Sequence, residues 1–272
     1  MPGKFENVLL ACDVDGNIYN GKVGTVPPRN IEAVSYFKKN GGLFTLATGR
    51  SVPNARFLFP ELFPSAPCVM ANGTLLYDYQ KEQVCAAVNL PKEAWDVACR
   101  VMEAFPETAI KVMAGEEVFY YNTTPFCQWV QDTFGIGGPE RAFAPFPENT
   151  NKILFCNPRE ESQKLVAFCK ETWPEHESLE MVSSSPYLYE VLPKGANKAT
   201  GVEMLMNLLS IPEDRVFVMG DYYNDEPMLR RFAHSFAPAG APEDLKALCE
   251  RSFGPCEDGA VADLIEYLDQ MF

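Results

Sequence analysis

The run from Asn7 to Cys12 is short and apolar, the pattern of a strand buried on both faces of a parallel sheet. After Pro27-Pro28, the residues Ile31, Val34 and Phe37 fall on one helical stripe. That helix is predicted to end at Gly41-Gly42, with Lys38 and Lys39 in its last turn where cations suit the helix dipole. Leu43 to Ala47 then reads as a second strand, and strand, helix, strand in this order is a βαβ unit. Later, Val202, Leu205, Met206 and Leu209 recur at helical spacing, followed by the strand Val216 to Met219 and an amphipathic helix near Val261–Leu268.

The middle of the chain has a different texture. β-rich stretches at Glu117 to Tyr121 and Lys152 to Cys156 alternate with amphipathic helices near Lys92–Phe105 and Glu160–Trp173. Between Glu82 and Glu190 there are eight basic and seventeen acidic residues. We read residues 82–190 as a second α/β domain inserted into a first domain built from 1–81 and 191–272. No internal repeat or low-complexity tract interrupts this plan.

Composition narrows the function. A hydrophobic fraction of 47% and a charged fraction of 22% over 272 residues describe one or two ordered globular domains. No apolar run approaches the roughly 20 residues that span a bilayer, and the start MPGKFENVLLACDVDG lacks the basic and long apolar segments of a secretory signal. The expected location is the cytoplasm. With 23 basic against 37 acidic residues the net charge is −14, which opposes nucleic-acid or anionic-membrane partners and requires local cations around any anionic substrate. Nine cysteines without a CxxC pair fit buried free thiols. The two histidines, His176 and His234, have no ligand-like spacing.

Four places carry candidate chemistry, three of them at a predicted strand end or helix start, where open α/β sheets bind ligands. Asp13-Val14-Asp15-Gly16-Asn17 follows the first strand, so two carboxylates spaced i, i+2 can enter one pocket while Gly16 permits the turn. A calcium loop would need Gly and Glu at its sixth and twelfth positions, which hold Ile18 and Gly24. A second acidic turn, Gly220-Asp221-Tyr222-Tyr223-Asn224-Asp225, follows the strand Val216 to Met219. Together the turns could supply hard oxygen ligands to Mg²⁺. Thr48-Gly49-Arg50 offers a hydroxyl and backbone N–H groups for phosphate oxygens. Lys198, after a predicted N-cap at Asn197, places a cation in a first helical turn, an electrostatic misfit that suggests a functional role. Spacing alone leaves Lys194 as an alternative.

In this order the four segments resemble the motifs of the haloacid dehalogenase superfamily: DxDG, Thr-Gly-Arg, Lys before a helix, and GDxxND. Met70-Ala71-Asn72-Gly73, Val191 to Lys198 and Cys256-Glu257-Asp258-Gly259 resemble recurrent segments of its Cof-type sugar-phosphatase branch. The resemblance implies a Rossmann-like doubly wound parallel-sheet core with an inserted α/β C2-type cap domain. It implies a Mg²⁺-dependent phosphatase acting on small phosphorylated metabolites through an aspartyl-phosphate on Asp13. Asp15 would protonate the leaving alcohol and later activate water. Thr48, Gly49, Lys198 and Asn224 would hold the phosphoryl group, and Lys198 rather than Lys194 would be the motif lysine. Asp13, Asp15 through its backbone carbonyl, Asp221 and Asp225 form the expected metal set. Asn17, Arg50 and Asn72 stand beside these motifs as further candidates; where the family usually has Thr, this chain has Asn17.

Two alternatives accompany this reading. A phosphomutase of the same superfamily would need its cap to hold a second phosphate, which the acidic insertion disfavours. A binding protein that kept the fold but lost the chemistry would not need all four motif groups.

Overall fold

The computed structural model describes residues 3–20 and 24–272. The chain divides into two compact units, one of Met1–Gly49, Arg56–Ala86 and Asn197–Phe272, the other of Arg50–Ala55 and Ala87–Ala196.

The first unit is built on a parallel sheet in the order β13 (Arg251–Phe253), β12 (His234–Pro238), β11 (Val216–Met219), β1 (Leu9–Cys12) and β2 (Leu43–Leu46). All four residues of β1 and of β11 are buried, because helices cover both sheet faces. Leu9 registers with Val216 on one side and Leu43 on the other, which sets the ends of these strands side by side. The helix Lys198–Leu209 buries Val202 and Leu205 against Leu9, Ala11, Val216 and Val218, while Met206 and Leu209 pack at the cluster's margin. The helix Pro28–Lys39 begins with proline, whose fixed φ suits a first turn, and buries Val34 and Phe37. It packs against the helix Ala260–Met271, whose buried stripe includes Val261, Leu264, Ile265 and Leu268. A smaller sheet of β3 (Cys68–Met70), β4 (Leu75–Asp78) and β5 (Gln83–Ala87) joins the main one through a parallel bridge from Val69 to Ala47.

The second unit is an antiparallel sheet in the order β7 (Glu117–Tyr121), β6 (Ala109–Ala114), β8 (Thr150–Cys156), β10 (Leu188–Pro193) and β9 (Leu179–Ser185). Alternate residues such as Ile110, Val112, Phe155 and Val191 pack onto the helices Glu93–Ala104 and Arg159–Thr172. The opposite face buries charge. Lys152 pairs with Glu190 at 2.7 Å, and Lys111 donates to Asn54 Oδ1 at 2.9 Å and the Ile136 carbonyl at 3.0 Å. Burial, with Lys152 and Arg50 nearby, lowers the Lys111 pKa to about 7.

The observed division differs from the 82–190 expectation in three ways. Strand β5 continues the sheet of β4, so the first unit runs to Ala86. Strand β10 carries the second unit past Glu190. Arg50–Ala55 also groups with the second unit, tied there by the bond from Lys111 to Asn54. Among the described residues, no helix is long and apolar enough to cross a membrane.

Candidate active site

Strand β1 delivers Asp13 at its end, where the Asp13 N–H continues the sheet by donating to Met219 O at 2.9 Å. Its side chain is buried. The chain then turns back: Gly16 N–H donates to Tyr19 O at 2.9 Å, and Ile18 and Tyr19 donate to Val14 O. This turn needs glycine for two reasons. Gly16 has φ +85°, and a Cβ there would overlap the Asp221 carboxylate. Asp15 is exposed beyond the turn, whereas Asn17 is fully buried beneath it.

The neighbouring strand β11 delivers the second acidic turn. Gly220 N–H donates to Phe236 O at 3.1 Å, and its missing side chain leaves room for Asp225, whose Cβ a side chain at 220 would strike. Asp225 organises the turn, since its Oδ2 accepts the backbone N–H groups of Asp221 at 3.0 Å and Tyr222 at 3.1 Å. Asn17 spans the two turns, its Nδ2 donating to Asp221 Oδ1 at 2.7 Å and lying 3.5 Å from Asp13 Oδ2.

Lys198 is the first residue of its helix, capped by Asn197, whose side chain accepts from Thr200 N–H while Thr200 Oγ1 accepts from Asn197 N–H at 3.1 Å. The cap fixes the first turn and so aims the Lys198 side chain. Its Nζ lies 2.6 Å from Asp13 Oδ1 and 2.6 Å from Asp225 Oδ1, with no exposed surface. The helix-start misfit of a cation is thereby answered by two carboxylates.

The charges in this cluster do not cancel. Asp13, Asp221 and Asp225 each offer a carboxylate oxygen within 4.8 Å of the others, and one ammonium, bonded to Asp13 and Asp225, stands against three carboxylates. Burial opposes the Lys198 charge, but Asp13 and Asp225 outweigh it and raise its pKa. Burial likewise pushes Asp13 well above the ordinary carboxylate range; Lys198 pulls against this while Asp225 and Asp221 add to it. Asp221 is pushed up to about 7 by burial and then by Asp225. Such a surplus of buried negative charge suits a divalent cation with oxygen preferences. Asp225 also serves the fold, its two oxygens accepting from Lys198 Nζ and from the Asp221 and Tyr222 N–H groups.

The Thr-Gly-Arg segment divides. Thr48 is buried at the end of β2, its N–H on Val69 O at 2.9 Å and its carbonyl receiving Asn72 N–H at 3.0 Å. Gly49 lies against Asn72, which has φ +60° and accepts from Asn224 Nδ2 at 3.4 Å. Thus Thr48, Gly49, Asn72 and Asn224 form one connected rim. Arg50 belongs to the second unit, donating to the carbonyls of Asn54 at 3.2 Å and Phe134 at 3.5 Å. Lys194 belongs to the second unit as well.

Two contacts could not be read from the sequence. Cys256 Sγ donates to the Asn17 carbonyl at 3.2 Å, anchoring the first turn from a point 239 positions away. The space demanded at Gly220 by Asp225 was equally invisible, although both stand inside recognised segments.

The chain as a whole is similar to known proteins. The family model for haloacid dehalogenase-like hydrolases matches residues 10–265. An HMP-PP phosphatase of Serratia proteamaculans is 24% identical over 267 residues, covering 95% of this chain and 94% of that protein. A 5-amino-6-(5-phospho-D-ribitylamino)uracil phosphatase of Bacillus subtilis is 18% identical, covering 95% and 96%. Among solved structures, a sugar phosphatase of HAD subclass IIB superposes with a TM-score of 0.81 at 20% identity, over 96% of this chain and 99% of that one. A haloacid dehalogenase-like hydrolase from Bacteroides thetaiotaomicron gives 0.82 at 22% identity, over 97% and 99%; at these identities the structures attest the fold. With the family match spanning nearly the whole chain and the motif residues gathered at adjoining strand ends, the protein belongs to the haloacid dehalogenase-like hydrolases and is a phosphatase of that superfamily.

Proposed function

We propose that this protein hydrolyses small phosphate monoesters, sugar phosphates or similar metabolites, by transferring the phosphoryl group to the carboxylate of Asp13. The observation that carries this reading is the buried Asp13–Lys198 contact at 2.6 Å. It supplies a carboxylate nucleophile and, on the same oxygen, a cation suited to a transferring phosphoryl group.

In the first step an Asp13 oxygen bonds to phosphorus and the P–O bond to the alcohol breaks. Asp15, exposed two residues beyond the nucleophile, gives its proton to the departing oxygen. In the second step Asp15 takes a proton from water as that water attacks phosphorus, freeing inorganic phosphate and regenerating the Asp13 carboxylate. Covalent capture divides one hard displacement into two easier ones, and phosphoryl transfer depends mainly on positioning and charge neutralisation. Thr48 and Gly49 at the end of β2 would hold phosphoryl oxygens with Lys198, and Asn224 and Asn72 would hold that rim in place. Asp13, Asp221 and the backbone carbonyl of Asp15 would hold Mg²⁺, which supplies further charge neutralisation when bound. Asp225 supports this set by fixing Lys198 and the second turn.

The relatives support a small-metabolite substrate, since the two phosphatases named above act on phosphorylated small molecules. The test is a screen of phosphorylated metabolites and a generic aryl phosphate with Mg²⁺ and with chelator. Release of inorganic phosphate, lost with chelator and lost in Asp13→Asn, is expected. Undiminished release in Asp13→Asn would overturn the reading.

A further inference from the structure

Asn17 occupies an unusual position for an amide. It is fully buried, it lies between two carboxylates, and only one end of its side chain is satisfied. Its Nδ2 donates to Asp221 Oδ1 at 2.7 Å and sits 3.5 Å from Asp13 Oδ2. Its Oδ1 is buried without a hydrogen-bond partner among the described residues. An unmatched buried acceptor is costly, so the fold accepts a penalty to keep the donor on Asp221. The backbone shows the same commitment, with the Asn17 carbonyl held by Cys256 Sγ at 3.2 Å and the turn closed by Gly16.

We propose that Asn17 is a positioning residue for the metal ligand Asp221. It fixes the carboxylate's orientation before a cation arrives and separates it from Asp13 with a neutral donor. The role rests on the metal-dependent reading above. The other side of Asp221 is set by Gly16, against which the Asp221 carboxylate packs too closely to admit a Cβ. The carboxylate is therefore clamped between an amide donor and a glycine backbone. Threonine could not reproduce this clamp in this backbone: its hydroxyl is carried on Cβ, one atom short of the amide nitrogen. Aspartate would add a fourth carboxylate to a cluster with one ammonium.

The test is calorimetric titration of Mg²⁺ into the metal-free full-length protein, comparing wild type, Asn17→Ala and Asn17→Thr after circular dichroism confirms folding. Residues that orient metal ligands are worth about 10–100-fold in metal affinity, and a loss of about tenfold or more is expected for Asn17→Ala. Asn17→Thr should also bind more weakly than wild type. Both variants should need more Mg²⁺ for half-maximal turnover while KM for substrate at saturating Mg²⁺ stays within about twofold, a split that a merely structural role would not produce. If Asn17→Ala does not fold, Asn17→Thr decides. Wild-type Mg²⁺ affinity in a folded variant overturns the role of Asn17 alone; absence of Mg²⁺ binding in the wild type overturns the metal reading itself.

Discussion

The ammonium of Lys198 donates to Oδ1 of Asp13 at 2.6 Å, joining residues 185 positions apart in a place where Lys198 has no exposed surface. One cation there serves both the fold, by compensating two buried carboxylates, and the chemistry, by bordering the nucleophile.

That double duty predicts two losses from one substitution. Lys198→Met leaves Asp13 and Asp225 buried without their cation, and breaking a buried pair by removing one partner typically costs about 3–5 kcal/mol. Urea unfolding with chelator present should show a destabilisation of that order at pH 8, and turnover should vanish. A variant as stable as wild type would show that the pair is not the source of compensation.

Asp13→Asn should separate chemistry from stability. The amide keeps the shape and an oxygen for Lys198 while removing a charge from a site that holds too many. Folding should survive, with stability equal to or above wild type, and phosphate release should fall by several orders of magnitude. A turnover number near wild type would exclude Asp13 as nucleophile.

For Asp15, the informative quantity is dependence on the leaving group. General acid–base help is typically worth about 10²–10⁴-fold, and an aryl alcohol needs less protonation than an alkyl one. Asp15→Asn should therefore slow formation of the phosphorylated enzyme from alkyl phosphates much more than from aryl phosphates, as single-turnover kinetics would show. Equal losses would contradict the general-acid role.

Much of this was legible in the sequence because strand ends and local turns are local properties. The apolar runs gave β1 and β11, the acidic turns followed directly, and the misfit of Lys198 at a helix start suggested a functional role. What could not be read were relations set by tertiary packing. The bond from Asn17 to Asp221 spans 204 positions. The burial of Lys152 on Glu190 depends on which strands become neighbours, since periodicity gives a residue's face and not its partner. Arg50 illustrates a further limit: two residues after Thr48 in sequence, it belongs to a different compact unit.

The charge surplus finally predicts how pH and metal act together. Asp221 has its pKa raised from 3.8 to about 7, chiefly by burial, so the folded protein binds this proton more tightly than the unfolded chain. Stability from that proton is fully present below pH 4 and is lost as pH rises through 7, because the native state then holds more protons than the unfolded state. Asp13 shifts in the same direction and adds to the slope. Without metal, this cluster should therefore destabilise the protein progressively between about pH 4 and pH 7. Mg²⁺ needs the deprotonated carboxylates and competes with these protons. The rise in melting temperature on adding Mg²⁺ should accordingly be small at pH 5 and large at pH 8. Asp221→Asn removes both the raised carboxyl and a metal ligand, so it should flatten the metal-free profile in this range and shrink the Mg²⁺-induced shift at pH 8. Thermal unfolding across pH 5–8, with Mg²⁺ and with chelator, measures all four quantities. A Mg²⁺-induced shift independent of pH, or unchanged in Asp221→Asn, would remove Asp221 from the metal set.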